Sequence, residues 1–171
     1  MGLFSTPLWK KYQNEKLGNN FDYMVMRISE REKRAYAQIN IETYVRHFNE
    51  SINLIDTTKK PNIFFERYNF ALERAIALIY MKKYVKVSMS SPEKSADKLI
   101  EHKQELVKDM IYRRGCVLQD KLSSLKTSKS RLNNIKKFEE EFVPYYGEMS
   151  QKNIDYIKQI ANFYRQHCEK E

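Results

Sequence analysis

Beside 22 Asp and Glu, the side chains best suited to acid–base, thiol or metal chemistry at neutral pH are few: three histidines and two cysteines in 171 residues. His102 sits in IEHKQEL, with Glu105 three positions on. A di-metal carboxylate site in a helical bundle needs two Glu-x-x-His units on facing helices plus two further glutamates. Here the order is reversed and the unit occurs once, so His102 reads as an exposed histidine of a charged helix. His47 falls near the polar side of a long amphipathic stretch. His167 and Cys168 are neighbours and point in different directions on a helix, and no other Cys or His lies at zinc-ligand spacing. Cys116 has no histidine beside it and reads as a buried helical cysteine.

Other routes to catalysis are equally thin. The four glycines, Gly2, Gly18, Gly115 and Gly147, are too scattered for a phosphate-cradling loop. Glu139, Glu140 and Glu141 read as a solvated helix face. All-helical ribonucleases of the HEPN type carry an Arg followed by a His about four to six residues later; Arg46–His47 and Arg165–His167 are too close for that. No catalytic, cofactor or metal residue is nominated, and the expectation is a protein that is not an enzyme.

Charge is the stronger signal. The formal net charge is +9. Residues 108–137 hold nine Lys or Arg against two acids, so most of the excess lies in one window. Arg113, Arg114, Lys121, Lys126, Lys129, Arg131, Lys136 and Lys137 are its candidate nucleic-acid contacts. Against that reading, these cations are spread around a helix, and no helix-turn-helix cadence or zinc finger accompanies them. A third surface is the N-terminal MGLFSTPLWKKY. It sets Leu3, Phe4 and Trp9 beside lysines, as a peripheral contact with an anionic membrane would, and MGLFST fits the short N-myristoylation pattern.

These residues must be positioned by helices. Apolar residues make up 42% and charged residues 31%, which favours a folded chain with a solvated surface. Four glycines and four prolines, far apart, suit long helices better than sheets with tight turns. Helices are expected near 30–56, 63–86, 92–126, 131–143 and 151–168. An N-terminal arm, 1–28, with a possible short helix after Thr6-Pro7, would precede a bundle domain, 29–171. Ser29 and Glu32 form a capping box. Ala37, Ile41, Tyr44, Phe48, Ile52 and Ile55 then recur on one face, with Arg46, Asn49, Glu50 and Asn53 opposite.

DTTKKPN is a turn in which Asn62 can cap the next helix. That helix is apolar on two sides. Phe65, Tyr68, Leu72, Ala75, Ile76 and Ile79 make one face; Phe70, Ala77, Met81 and Tyr84 make the other. Its aromatics are therefore expected in the core rather than on a base-stacking platform. Ser91-Pro92-Glu93 starts a helix with Ala96, Leu99, Leu106, Val107, Met110, Val117, Leu118 and Leu125 inward, and Gly115 as a kink or fray. Lys103, Arg114 and Lys121 interrupt that stripe, either snorkelling at the core margin or marking a basic prong. Leu132, Ile135, Phe138 and Phe142 follow, then a helix capped by Ser150 with Ile154, Ile157, Ile160, Ala161 and Tyr164 inward. The fold class is all-α, an irregular antiparallel bundle of four to six helices.

SINLIDTTKKPNIFFERYNFALERAIAL (51–78) and EEFVPYYGEMSQKNIDYI (140–157) resemble segments of small helical proteins of bacteria and their mobile elements. The resemblance covers about a quarter of the chain, implies no activity and transfers no functional residue. It favours a bacterial source. No apolar run suits a signal peptide or a bilayer span, so a reducing cytoplasm is expected. The function expected is non-enzymatic binding or assembly through another protein or a second copy of the chain, with nucleic-acid binding through 108–137 as the alternative.

Overall fold

The computed structural model describes residues 30–82, 86 and 91–169. The expected arm, Ser29 and Tyr84 lie outside them. All regular structure among the described residues is helical: α1 Glu30–Leu54, α2 Pro61–Met81, α3 Pro92–Ser124, α4 Ser128–Phe142, a 3-10 segment Val143–Glu148, and α5 Gln151–Glu169. The fold class is all-α, a bundle of five helices. Two compact units divide it, with the boundary inside α2 and inside α3.

In the first unit, which runs to Ile55 and takes in Glu66–Glu101, α1 and α2 are antiparallel. Arg67 donates to the Leu54 carbonyl at 3.1 Å, and Arg74 to the His47 carbonyl at 3.3 Å and to Ser51 Oγ at 3.0 Å. Moving seven residues back along α1 moves the partner seven forward along α2, so the two run in opposite directions. Arg46, Asn49, Glu50 and Asn53 are exposed, as their places on the helical wheel require.

The α2 segment of this unit is its core. Tyr68, Ala71, Leu72, Ala75, Ile76 and Leu78 are fully buried, and burying one large apolar side chain is worth roughly 1.5–3 kcal/mol. The second apolar stripe holds only in part. Ala77 and Met81 are buried, but Phe70 is exposed, with the Arg74 guanidinium 5.7 Å from its ring centroid. The long arginine stem covers an edge position that the apolar core does not reach.

The starts of α3 and α2 are capped differently. Ser91 caps α3 as expected: its Oγ accepts from the Lys94 N–H at 3.1 Å. Glu93 in the first turn bonds Lys82 at 3.0 Å. The Tyr68 hydroxyl donates to the Leu99 carbonyl at 2.6 Å, which pins α2 to the start of α3. Asn62, by contrast, is not the cap of α2. The helix starts one residue earlier at Pro61, and the Phe64 N–H bonds the Lys60 carbonyl at 2.9 Å. Proline lacks an N–H and is preset in φ, so it suits the first helical position itself.

The second unit contains Asp56–Phe65 and the chain from His102 onward. Its three helices run up, down, up. Gln104 ties the start of α5 to α3: its Oε1 accepts from the Ser150 N–H and from Asn153 Nδ2, both at 2.9 Å. Farther along both helices Gly115 meets Ile160, so α3 and α5 are parallel. α4 returns antiparallel to α3: Arg114 pairs with Glu141, and Lys121, two turns farther along α3, shares a groove with Asn134, two turns back along α4. Thr127 separates α3 from α4, its Oγ1 accepting from the Ser130 N–H at 3.1 Å. The 92–143 stretch is therefore two helices, and α4 starts at Ser128 rather than 131 because threonine supplies the cap. Ser150 caps α5 as expected, accepting from the Asn153 N–H at 3.2 Å.

Met110, Ile111, Ile135, Phe142, Ile157 and Ala161 are fully buried here, and Phe65 stacks on Tyr145 with centroids 4.9 Å apart. Four expectations need correction. Val117 is 47% exposed and Leu132 is also exposed, while Ile111 and Leu122 take the inward positions. Cys116 is half-buried rather than buried. Gly115 neither kinks nor frays α3. It lies against α5, where an added Cβ would make an ordinary contact 3.4 Å from Ile160 Cδ1.

Candidate functional site

Two clefts flank α3 in the second unit. The first lies between α3 and α5 and has a volume of about 300 Å³. Helical spacing places Tyr112, Cys116 and Gln119 along one stripe of α3. Tyr156, Ile160, Phe163 and Tyr164 form the matching stripe of α5. Gly115 and Ile160 face each other in its lining. At the rim, Tyr112 is 57% and Phe163 54% exposed. Phe163 packs edge-on against Tyr164, with centroids 5.2 Å apart.

Burial pushes the Tyr156 phenol above the ordinary tyrosine value, and ionised Tyr112 or Cys116 would push it the same way. Tyr164 is raised by burial, then by Cys116 and Asp120. Both phenols therefore keep their protons at neutral pH and can donate hydrogen bonds. The cleft offers aromatic faces with polar tips, a surface suited to apolar side chains.

The second cleft, of about 480 Å³, lies between α3 and α4. Arg114, Val117, Leu118 and Lys121 line it from α3, Asn134, Lys137 and Phe138 from α4, and Lys60 joins them from the residue before α2. The eight basic residues nominated from the sequence are thus sorted. Arg114, Lys121 and Lys137 come together. Lys126 and Lys129 are exposed at the α3–α4 connection. Arg113 is held 3.1 Å from Asp109, Lys136 lies 3.9 Å from Glu140, and Arg131 donates to the Leu125 carbonyl at 3.2 Å. Lys103 is buried against Glu148 at 3.4 Å, Arg114 bonds Glu141, and Lys121 reaches solvent, so the three cations in the apolar stripe have three different fates.

Glu139 and Glu141 are not a solvated face: each bonds an arginine on a neighbouring helix, Arg165 and Arg114 respectively, while Glu140 is exposed. His102 is paired with Glu105 at 3.3 Å, and His167 Nδ1 lies 2.9 Å from the Phe163 carbonyl oxygen. Among the described residues no group of three or more His, Cys, Asp or Glu could hold a metal, and no helix is long and apolar enough to cross a membrane.

Sequence reasoning missed Lys60, Tyr112 and Phe163. Lys60 was hidden because it is distant in sequence from the basic window. The stripe Tyr112–Cys116–Gln119 was visible as a helical period but lay beside a stronger apolar one. No protein family, curated protein or solved structure matches this chain.

Proposed function

We propose that this chain is a non-enzymatic binding protein that holds another protein through the aromatic cleft between α3 and α5. The observation that carries this reading is the pair Tyr112 and Phe163, both more than half exposed on either side of the cleft. Large rings left in water at the mouth of a cleft represent apolar area that a partner can remove from solvent. Tyrosine and other aromatics are also enriched at the centres of protein interfaces, where a few rings carry much of the binding free energy. The occupant best suited to the cleft is an apolar side chain projecting from a helix or loop of the partner, with the Tyr156 and Tyr164 hydroxyls available to its backbone. The two free cysteines, Cys116 and Cys168, suit a reducing compartment such as the cytoplasm.

The test is a pull-down from lysate of the source cells, treated with nuclease, using the wild type and a Tyr112→Asp/Phe163→Asp variant. A polypeptide retained by the wild type at high salt and lost with the variant supports the reading. Retention of the same polypeptides by both, or of none, overturns it. Sedimentation of the same two proteins tells whether the partner is a second copy.

A further inference from the structure

The groove between α3 and α4 has a different chemistry, and its reading does not depend on the aromatic cleft. Three lysines approach it from three elements: Lys60 before α2, Lys121 on α3 and Lys137 on α4. No ion pair holds any of the three among the described residues. The two acids on the groove are already engaged. Glu141 accepts from Arg114 at 3.4 and 3.5 Å, and Glu140 lies 3.9 Å from Lys136. Four cations and two carboxylates therefore line one space of about 480 Å³, leaving it a net charge of +2. A bound anion would offset that positive excess.

The floor adds a second requirement. Val117 is nearly half exposed on the groove, with Leu118 and Phe138 buried beneath it. A bare inorganic anion would leave this apolar area wet. A ligand that joins an anionic group to a flat apolar one would cover it. The groove is also directional. Arg114 faces Glu141 and, nearer the helix connection, Lys121 lines the groove with Asn134. The track thus leads to the connection that carries Lys126 and Lys129, both exposed.

We infer that this groove binds nucleotide phosphate, with Lys60, Lys121 and Lys137 on the phosphate oxygens and a base lying over the exposed face of Val117. The nucleotide can be free or part of a single strand. The continuation toward Lys126 and Lys129 supplies further cations for a strand.

Fluorescence anisotropy of a labelled twelve-nucleotide single strand, with unlabelled competitors, tests this. Binding should be measurable at about 50 mM salt and weaken steeply by about 200 mM, with a log–log slope near −2 if about three phosphates are neutralised. Lys121→Glu and Lys137→Glu, both on exposed residues, should each weaken binding about tenfold and together abolish it. Lys152→Glu/Lys158→Glu, both on exposed residues of α5, makes the charge change of the double variant outside the groove and should cost about twofold or less. ATP displacing the probe as well as unlabelled strand assigns the site to free nucleotide; displacement by strand alone assigns it to single-stranded nucleic acid. No binding at low salt, equal losses in the groove and control variants, or equal displacement by polyglutamate would overturn the inference. The Tyr112→Asp/Phe163→Asp variant should bind the probe as the wild type does, which separates this outcome from that of the protein-docking cleft.

Discussion

Gly115 of α3 faces Ile160 of α5, and an added Cβ would meet the isoleucine Cδ1 at 3.4 Å, an ordinary packing distance. The two residues lie where the parallel helices meet, in the lining of the aromatic cleft.

Replacing this glycine separates its packing role from its helix propensity. The atom that an alanine Cβ would meet is the flexible end of a side chain, so Gly115→Ala should fit. It should also remove the conformational cost of glycine within a helix, raising stability by about 0.5–1 kcal/mol. Gly115→Leu should push α5 away and destabilise the unit by about 1–3 kcal/mol. Urea unfolding of both variants checks the pair. A destabilised alanine variant would mean that the helices cannot yield at this point.

The Lys103–Glu148 pair bears on how a buried charge is held. The Lys103 side chain is only 9% exposed, with its ammonium 3.4 Å from the Glu148 carboxylate and 5.9 Å from the centroid of the Phe65 ring. Lys103→Met keeps most of the stem volume and removes the charge, so it should cost less than about 1 kcal/mol. Glu148→Ala leaves the ammonium without that carboxylate and should cost about 2–3 kcal/mol. The reverse order in chemical denaturation would show that the charge itself holds the fold.

Asp109 links the turn before α2 to α3. The Thr57 hydroxyl donates to its carboxylate at 2.5 Å, and Arg113 lies 3.1 Å away. The Thr57 bond outweighs partial burial and, with Arg113, holds this carboxyl below the ordinary aspartate value. A lowered folded value stabilises the protein above the unfolded value, about 3.9. That contribution is lost as pH falls from there through the folded value. Thr57→Val should move the Asp109 titration up toward the ordinary value and flatten the acid limb of stability. Carboxyl NMR titration and acid-unfolding curves read both effects. Arg113→Gln should do the same to a smaller degree.

Tyr156 and Tyr164 should titrate late. Burial leads in raising both phenols above the usual value of about 10. For a raised folded value the sign is opposite to that of Asp109: stability is complete below about pH 10 and declines as pH rises through the folded values. Ultraviolet titration should show at least two tyrosines ionising after the exposed ones, and Cys116→Ser should bring both down. Simultaneous ionisation of all tyrosines with the exposed set would contradict the burial of these rings.

Much of the helical framework was legible from short-range rules. Ser91 with Pro92, and Ser150 before α5, announced two starts because their side chains bond N–H groups within three residues. Buried Tyr68, Leu72, Ala75 and Ile76 followed from the 3.6-residue period alone. Errors came where two stripes competed. Periodicity put Val117 inward, but α5 approaches α3 at Gly115, and the side chains actually covered are Ile111, Leu118 and Leu122. A helical wheel records which residues share a face, not which face meets a neighbour.

The basic window shows the same division at the level of charge. Its cation excess could be counted along the chain, because charge is a property of residue type. Which cations act together is a matter of distance, and that was decided when α3, α4 and the turn before α2 converged. Folding paired Arg113 with an acid one turn away and Arg114 with one on another helix. It set Lys60, 61 positions from Lys121 in sequence, on the same groove. Composition and periodicity determined the helices and their inward stripes, which depend on contacts within a few residues. The two clefts depend on contacts between distant residues, and only the tertiary structure decided them.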